Sequence, residues 1–274
     1  MTQEPDKTVL ALSSEVGVGA VGLTISRPVF AFNQIHAICL PTVILPSRPD
    51  LGTVEPHIIP SDTLRLQLKA LSSDGWDKRY NGVMTGYFSD VSQVEVIAAQ
   101  LMSLRVVNPE ATILVDPVLG DFDTGLYVSE EVATAVRDLL VPLADVITPN
   151  LFEYSWLCGQ EDIPLDELHS HAVSLAPPHI IVTSAEIEQP SEKGSQALIK
   201  TAYLTQDEMD LFSGNFVEDM PKGTGDVFAS HLLSRLVLGD EMKDAIGQTV
   251  HYLDGIADRA KGTNAIAPYL LFRP

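Results

Sequence analysis

The chain has 274 residues, of which 45% are hydrophobic, and this is enough apolar material for one large α/β domain or two small ones. Its 37 acidic and 17 basic side chains give a formal net charge of −20, which repels phosphodiester backbones and anionic lipid surfaces. We therefore expect no nucleic acid and no membrane as partners, and a small anionic substrate would need a local positive site.

The cysteines and the N-terminal segment both predict a cytoplasmic protein. Cys39 and Cys158 lie far apart and form no C-x-x-C pair, so we expect them to be reduced, buried thiols. Residues 1–14 contain one lysine and four consecutive apolar residues, which is too short a run for a secretory signal. No apolar stretch is long enough to span a bilayer.

Apolar runs rich in Val, Ile and Leu predict strands that are covered on both faces. These strands are residues 8–12, 36–45, 82–87, 112–116, 145–149 and 179–184. Helical spacing is found between them at residues 61–71, 91–107, 129–140 and 151–158, with Ser61 and Ser129 as predicted N-caps. The alternation predicts a single α/β domain over residues 1–274, with a mainly parallel sheet between two helical layers.

The last third of the chain has a different pattern. Residues 194–205 and 207–214 predict a short antiparallel meander, and two helices follow, from about Thr224 and from about Asp240. The proline-rich stretch 41–60 is predicted as one long irregular segment, either a lid, a binding loop or disorder.

The segment GVGAVG at residues 17–22 fits the spacing of a dinucleotide-binding turn. Such a turn needs a preceding strand, a following helix and an acidic residue about 20 positions later. Residues 35–43 contain no acidic residue, and the next one is Asp50. A nicotinamide or flavin site is therefore not expected, and a glycine turn into a helix is the better interpretation.

A second glycine turn lies at the start of a predicted helix. Gly223, Thr224 and Gly225 precede Asp226, and apolar residues then recur on one helical face. Free N–H groups at a helix N-terminus suit a phosphoryl group. Asp226 is either a first-turn acid that favours the helix dipole or a base that accepts a proton from a hydroxyl nucleophile.

Polar side chains also follow two other predicted strands. Asp116 ends one strand, and Asn150 and Glu153 follow the next. Ligands of open α/β sheets bind beyond the carboxyl ends of strands, and carboxylate and amide oxygens suit Mg²⁺ with nucleotide phosphates. The structural alternatives are a strand-ending turn at Asp116 and a helix N-cap at Asn150.

These segments together resemble the pyridoxal kinases of the ribokinase-like superfamily. GTGD at 223–226 matches the superfamily motif, while DPVLG at 116–120, VPLADVITPNLFE at 141–153, MTGY at 84–87 and PPHIIVTS at 177–184 match the vitamin B6 branch. The likeness runs through most of the chain and implies a ribokinase-like fold, ATP as phosphoryl donor and a homodimer. It also implies that Ser14, Val16, Gly19 and Gly22 shape a vitamin pocket rather than a dinucleotide site.

The resemblance implies a role for each matching residue. Asp226 takes the proton of the vitamin's 5′-hydroxymethyl group, and the amides of Gly223, Thr224, Gly225 and Asp226 stabilise the γ-phosphoryl group. ATP is contacted by Asn150, Thr183, Ser184 and Thr224. Asn150 and Glu153 lie near Mg²⁺, and Asp116, Thr148 and Thr183 near a monovalent cation such as K⁺. The vitamin is contacted by Ser14, Gly19, Thr42, Tyr87 and Tyr127.

Three departures from the family pattern affect these expectations. Glu15 replaces the usual histidine, and residues 43–48 lack the aromatic side chain that packs on the pyridine, so that Leu45 offers apolar contact and Arg48 a charge. Lys222 is also unusual, either reaching the phosphates or, in the preferred interpretation, facing solvent. The ring specificity is thus open between a B6 vitamer and hydroxymethylpyrimidine or a similar heterocycle, with a non-catalytic pyridoxal-phosphate-binding protein as the alternative class.

Overall fold

The structure, a computed structural model, describes residues 7–52, 55–189, 196–218, 220–260, 266 and 271. Its strands are β1 (Thr8–Val18), β2 (His36–Ser47), β3 (His57–Ile58), β4 (Gly82–Thr85), β5 (Thr112–Val115), β6 (Gly120–Asp121), β7 (Gly125–Leu126), β8 (Val146–Ile147), β9 (His179–Glu188), β10 (Leu198–Leu204) and β11 (Met209–Asn215). Its helices are α1 (Leu23–Phe32), α2 (Ser61–Ser73), α3 (Val91–Val107), α4 (Glu130–Ala135), α5 (Leu151–Leu157), α6 (Leu168–Ala172), α7 (Thr224–Leu238) and α8 (Met242–Ala260).

Nine strands form one sheet in the order β11-β10-β9-β8-β5-β4-β1-β2-β3. The strands β1, β2, β4, β5, β8 and β9 pair in parallel, while β10 and β11 form an antiparallel extension beside β9. The short β3 pairs antiparallel with β2, and β6 and β7 form a separate small hairpin. The predicted fold class is confirmed. Strand β1 lies between β2 and β4, which makes the carboxyl end of β1 a topological switch point, where ligands of open α/β sheets bind.

The central strands are apolar on both faces because helices cover both. Along β1, Leu10 and Leu12 belong to one core cluster, which includes residues of α2, α3, α4 and α5. Val9 and Ala11 point the other way and belong to a second cluster with residues of α1, α7 and α8. This two-sided burial explains the apolar runs that predicted the strands.

The proline-rich segment 41–60 is more regular than predicted. β2 continues through Pro41 and Pro46 to Ser47, a 3₁₀ turn follows at Pro49–Leu51, and β3 lies within the same stretch. Residues 53 and 54 lie outside the described residues. Apart from the two residue pairs with β3, one side of β2 is an edge, and proline is tolerated there because no ladder hydrogen bond is lost.

Two smaller expectations also needed correction, and part of a third could not be compared. The N-cap of α2 is Pro60 and not Ser61, whereas Ser129 caps α4 as predicted by accepting a hydrogen bond from the Val132 N–H. Cys39 and Cys158 are free but only half-buried. The first two residues of the predicted meander, Gly194 and Ser195, lie outside the described residues. No helix in the described part of the chain has the length and hydrophobicity needed to cross a membrane.

Candidate active site

The first turn of α7 presents backbone amides to an open space. Its N-cap Gly223 has φ +107°, and a Cβ there would lie 2.6 Å from the Ala20 carbonyl oxygen, so only glycine fits this approach of α7 to the end of β1. A Cβ on Gly225 would contact nothing within 4 Å. Since the first N–H groups of a helix have no partner within it, they are available to an anion here.

Asp226 is the acid of this first turn and is half-buried. Loss of solvent around its carboxylate raises its pKa to about 6, although a hydrogen bond donated by the Gly22 N–H acts in the opposite direction. Gly22 has φ +59°, and a Cβ there would lie 2.3 Å from both Ser14 O and Ser14 Oγ. The GVGAVG turn is therefore structural, and it brings Ser14 and the Asp226 carboxylate to the same place.

A second buried carboxylate faces Asp226. Asp116 follows β5 and accepts a hydrogen bond of 2.9 Å from Thr148 Oγ1, and both residues are buried. Burial first, and then the negative charges of Glu153 and Asp226, raise the pKa of Asp116 well above its usual range. A carboxyl group whose pKa is raised by neighbouring negative charges would bind a cation readily.

Asn150 and Glu153 form a capping box at the start of α5. Asn150 Oδ1 accepts the Glu153 N–H at 2.9 Å, and Glu153 Oε2 accepts the Asn150 N–H at 2.8 Å. The other oxygen, Oε1, accepts the N–H groups of Leu119 and Gly120, while Asn150 Nδ2 donates to Gly120 O at 2.8 Å. These bonds tie the loop after β5 to α5, so the structural role foreseen for Asn150 is present.

The same bonds limit what Glu153 offers to a metal ion. Three of the four lone pairs on its carboxylate are used by backbone N–H groups, which leaves one on Oε2. Among the residues that the structure describes, no three His, Cys, Asp or Glu side chains form a ready-made metal site. A cation here would therefore complete its shell with water and phosphate oxygens, as Mg²⁺ commonly does.

A cavity of about 200 Å³ opens beside the first turn of α7. Its polar rim includes Thr183, Ser184, Thr224 and Gly225, and its apolar wall consists of Ile199, Phe216, Val217, Met220, Phe228, Val250, Leu253 and Ala257. Ser184 is exposed and has φ +52°, an uncommon conformation that is held where β9 passes the cavity. An apolar slot that ends at free helix amides fits the base and the phosphates of a nucleotide.

The residues predicted to contact the vitamin lie on several elements: Ser14 is within β1, Gly19 follows β1, Thr42 is within β2, Tyr87 follows β4 and Tyr127 follows β7. Thr42 is fully buried, and its Oγ1 donates to Tyr87 O at 2.6 Å, so this hydroxyl can only accept a hydrogen bond from a ligand. Ser13 Oγ accepts the Tyr87 N–H at 3.1 Å. Gly19 is buried against Arg48, whose Cβ lies 2.9 Å from the position of a Cβ on Gly19.

Comparison with known proteins identifies the family of this chain. Residues 28–267 match the phosphomethylpyrimidine kinase family. The chain belongs to this family. It is 32% identical over 248 residues to a pyridoxine/pyridoxal/pyridoxamine kinase of Bordetella avium, covering 89% of this chain and 82% of the relative. It is also 31% identical over 255 residues to human pyridoxal kinase, covering 84% and 78%.

Solved structures extend the likeness to the fold. Pyridoxal kinase from Entamoeba histolytica superposes with a TM-score of 0.86 at 25% identity, covering 97% of this chain and 96% of that one. Pyridoxal kinase from Leishmania donovani in complex with ADP and pyridoxine gives a TM-score of 0.83 at 25% identity, covering 96% and 92%. The resemblance to pyridoxal kinases inferred from the motifs is thus confirmed for this family member, and the fold is theirs.

Two features of the site were missed in the sequence. Gln93 is fully buried in α3, and its Nε2 donates to Thr42 O and Ile59 O, both at 2.7 Å, while its Oε1 accepts the Ser89 N–H. It therefore holds β2 and the residues after β3 against α3. A glutamine within an apolar helical stripe was the available signal.

The second missed feature is Asp121 in β6. Lys222 Nζ lies 2.6 Å from Asp121 Oδ2, and the Tyr127 hydroxyl donates to the same oxygen. Partial burial raises the pKa of Asp121, but the hydrogen bonds from Lys222 and Tyr127 outweigh this effect and lower the pKa to about 2. Lys222 is exposed, as the preferred interpretation expected, and its ammonium also pairs with this carboxylate.

Proposed function

We propose that this family member transfers the γ-phosphoryl group of ATP to the 5′-hydroxymethyl group of pyridoxal, pyridoxine or pyridoxamine. The observation that carries the proposal is the position of Asp226. Its carboxylate lies in the same first turn as the free amides of α7, beside a cavity of about 200 Å³, and accepts a hydrogen bond from Gly22, which packs against Ser14 of β1. A candidate base, the free helix amides and a ligand cavity thus meet at one point.

The chemistry of the first turn suits phosphoryl transfer. With a pKa of about 6, Asp226 is ionised near pH 7 and can accept the proton as the hydroxymethyl oxygen attacks. The amides of Gly223, Thr224 and Gly225 would stabilise the charge that develops on the γ-phosphoryl group. Positioning and charge stabilisation are most of what this reaction requires of a protein.

The acidic side chains suit the cations that such a reaction uses. Asp116 and Thr148 would offer oxygen ligands to a monovalent cation such as K⁺, and Glu153 with Asn150 would hold the water shell of Mg²⁺. Mg²⁺ neutralises the β- and γ-phosphate oxygens when it is bound. These cations should raise the thermal unfolding midpoint more at pH 8 than at pH 5, because ionised carboxylates bind cations. This result would support the cation part of the proposal.

The named relatives favour a B6 vitamer as acceptor. The Bordetella avium relative is a kinase of all three vitamers, and the Leishmania donovani structure contains ADP and pyridoxine. The family name keeps a hydroxymethylpyrimidine as the second candidate, and residues 43–48 depart from the vitamin B6 pattern. From the family resemblance, we also propose a cytoplasmic homodimer.

Parallel steady-state assays with the three vitamers and with hydroxymethylpyrimidine test this proposal. Each acceptor is supplied with ATP, Mg²⁺ and K⁺, and the phosphorylated product is identified by mass spectrometry. We expect kcat/KM to be highest for a vitamer. A higher value for the pyrimidine would replace the substrate, and bound pyridoxal phosphate without any turnover would replace the enzyme by a binding protein.

A further inference from the structure

Lys222 lies next to the anion hole at the start of α7, and the reaction proposed above gives this lysine no role. It directly precedes Gly223, the N-cap of α7, and consecutive Cα atoms are only about 3.8 Å apart. Its flexible four-carbon stem can therefore bring the ammonium to an anion that is held by the first turn of α7.

The partner of Lys222 belongs to the opposite wall of the site. Asp121 follows Gly120, whose carbonyl accepts the Asn150 side chain and whose N–H donates to Glu153. The ion pair between Lys222 Nζ and Asp121 Oδ2, at 2.6 Å, thus spans the gap between the anion hole and the loop where Mg²⁺ is proposed. With the proposed function, this gap lies where the phosphoryl group would be transferred.

The charges around this gap call for a cation. The chain has a formal net charge of −20, and Asp116, Glu153 and Asp226 approach one another within the site. Arg48, the other cation nearby, is only 11% exposed and is fixed by Asp50 and by the Gly19 carbonyl. Lys222 is 52% exposed, and in the described part of the chain Asp121 is the partner that holds it.

We propose that Lys222 leaves Asp121 and binds the γ-phosphoryl group when ATP enters, an inference that rests on the proposed function. Asp121 tolerates this exchange because its Oδ2 keeps the Tyr127 hydroxyl and its Oδ1 keeps the Thr124 N–H at 2.8 Å. The ammonium gains a more highly charged partner, while the carboxylate loses none of its remaining hydrogen bonds. Asp121 thus stores the lysine in the free enzyme.

Nucleotide binding measured by calorimetry, with Mg²⁺ present, separates this role from a structural one. The ligands are ADP and the non-hydrolysable analogue adenosine 5′-(β,γ-imido)triphosphate. In Lys222→Ala, we expect affinity for the analogue to fall about tenfold or more and affinity for ADP to stay within about twofold. Lys222→Arg should restore most of the difference, since it keeps the charge.

Lys243→Ala is the matched control, because Lys243 is also half-exposed and paired with carboxylates, Glu208 and Asp210, in another part of the fold. It should change neither affinity.

Equal losses of affinity for ADP and the analogue in Lys222→Ala, or no loss for either, would overturn the role of Lys222. If the wild type distinguishes the analogue through Lys222 but phosphorylates no vitamer, the proposed function fails and the phosphate contact stands. If the wild type binds neither nucleotide, both fail.

Discussion

At the phosphate end of the candidate site, Asp116, Glu153 and the first turn of α7 are fixed by hydrogen bonds and by close packing against the sheet. At the ring end, where the vitamin ring is proposed to bind, β1 and β2 extend beyond the main sheet. Past Leu12, β1 pairs only with β2, because β4 has already ended. The tip of this extension exposes apolar side chains such as Val18 and Ile44.

The difference shows where chemistry and specificity reside. The phosphate end matches the family motifs because its function depends on backbone amides and buried carboxylates that a substitution would disturb. The ring end departs from the family pattern at Glu15 and at residues 43–48, and there a strand can exchange side chains without changing the fold. We therefore expect changes at the phosphate end to affect kcat and changes at the ring end to affect the KM for the vitamin.

The largest effect is expected for Asp226→Asn. The amide keeps the shape but cannot accept the proton, so kcat should fall about 10³-fold, with little change in ATP affinity. Steady-state kinetics and nucleotide titration measure the two effects. Asp62→Asn, at an exposed acid of α2, is the control and should leave kcat unchanged. Full activity of Asp226→Asn would show that another group is the base.

Gly223→Ala should cause the next largest loss. Alanine is strained at the φ of +107°, and its Cβ would lie 2.6 Å from Ala20 O. The first turn of α7 must therefore move away from the site, and kcat should fall more than tenfold. Gly239→Ala is matched, with φ +100° and open space around the Cβ, and should cost about 1 kcal/mol of stability without loss of kcat. Similar kcat values in both variants would contradict the packing argument.

The pH dependence of kcat/KM follows from the raised pKa of Asp226. Below its pKa of about 6 the carboxyl is protonated and cannot act as a base, so kcat/KM should fall about tenfold for each pH unit below 6. Above pH 7 this group is ionised and imposes no further dependence. Thermal unfolding at each pH checks that the protein remains folded. An acidic limb that is equally present in the residual activity of Asp226→Asn would assign the titration to another group.

Gln93→Leu tests the attachment of the ring end. The substitution preserves the volume but leaves Ile59 O and the Ser89 N–H without their partner, while Thr42 O keeps only the Ile59 N–H. This loss should cost about 3 kcal/mol in urea unfolding. The KM for the vitamin should rise while kcat is largely retained. Gln100→Leu, at a half-buried position of the same helix, is the control and should cost less than about 1 kcal/mol.

The smallest effect is expected for Leu45→Phe. Leu45 is half-buried, and an aromatic ring there should lower the KM for a B6 vitamer a few-fold at unchanged kcat. Ile44→Phe is the control, since neighbouring residues of a strand point to opposite faces, and it should leave the KM unchanged. The same decrease in both variants would mean that the effect is not ring packing.

Much of the fold could be predicted because the local signals agreed. α3 has the predicted bounds, Val91–Val107, and α7 begins at the predicted Thr224, since an N-cap or a glycine turn marks each start. β2 was partly misread because its prolines suggest a loop, and only its place near the sheet edge makes them acceptable. The Lys222–Asp121 pair joins residues 101 positions apart, so no local pattern could indicate it.

The most direct test of the proposed kinase function is the stoichiometry of phosphoryl transfer by the purified protein. ATP, Mg²⁺, K⁺ and pyridoxal are supplied, and ADP and phosphorylated vitamin are quantified over one time course. The proposed function predicts one pyridoxal 5′-phosphate for each ADP formed. ADP formation without the phosphorylated vitamin, or no ADP at all from a folded protein, would contradict it.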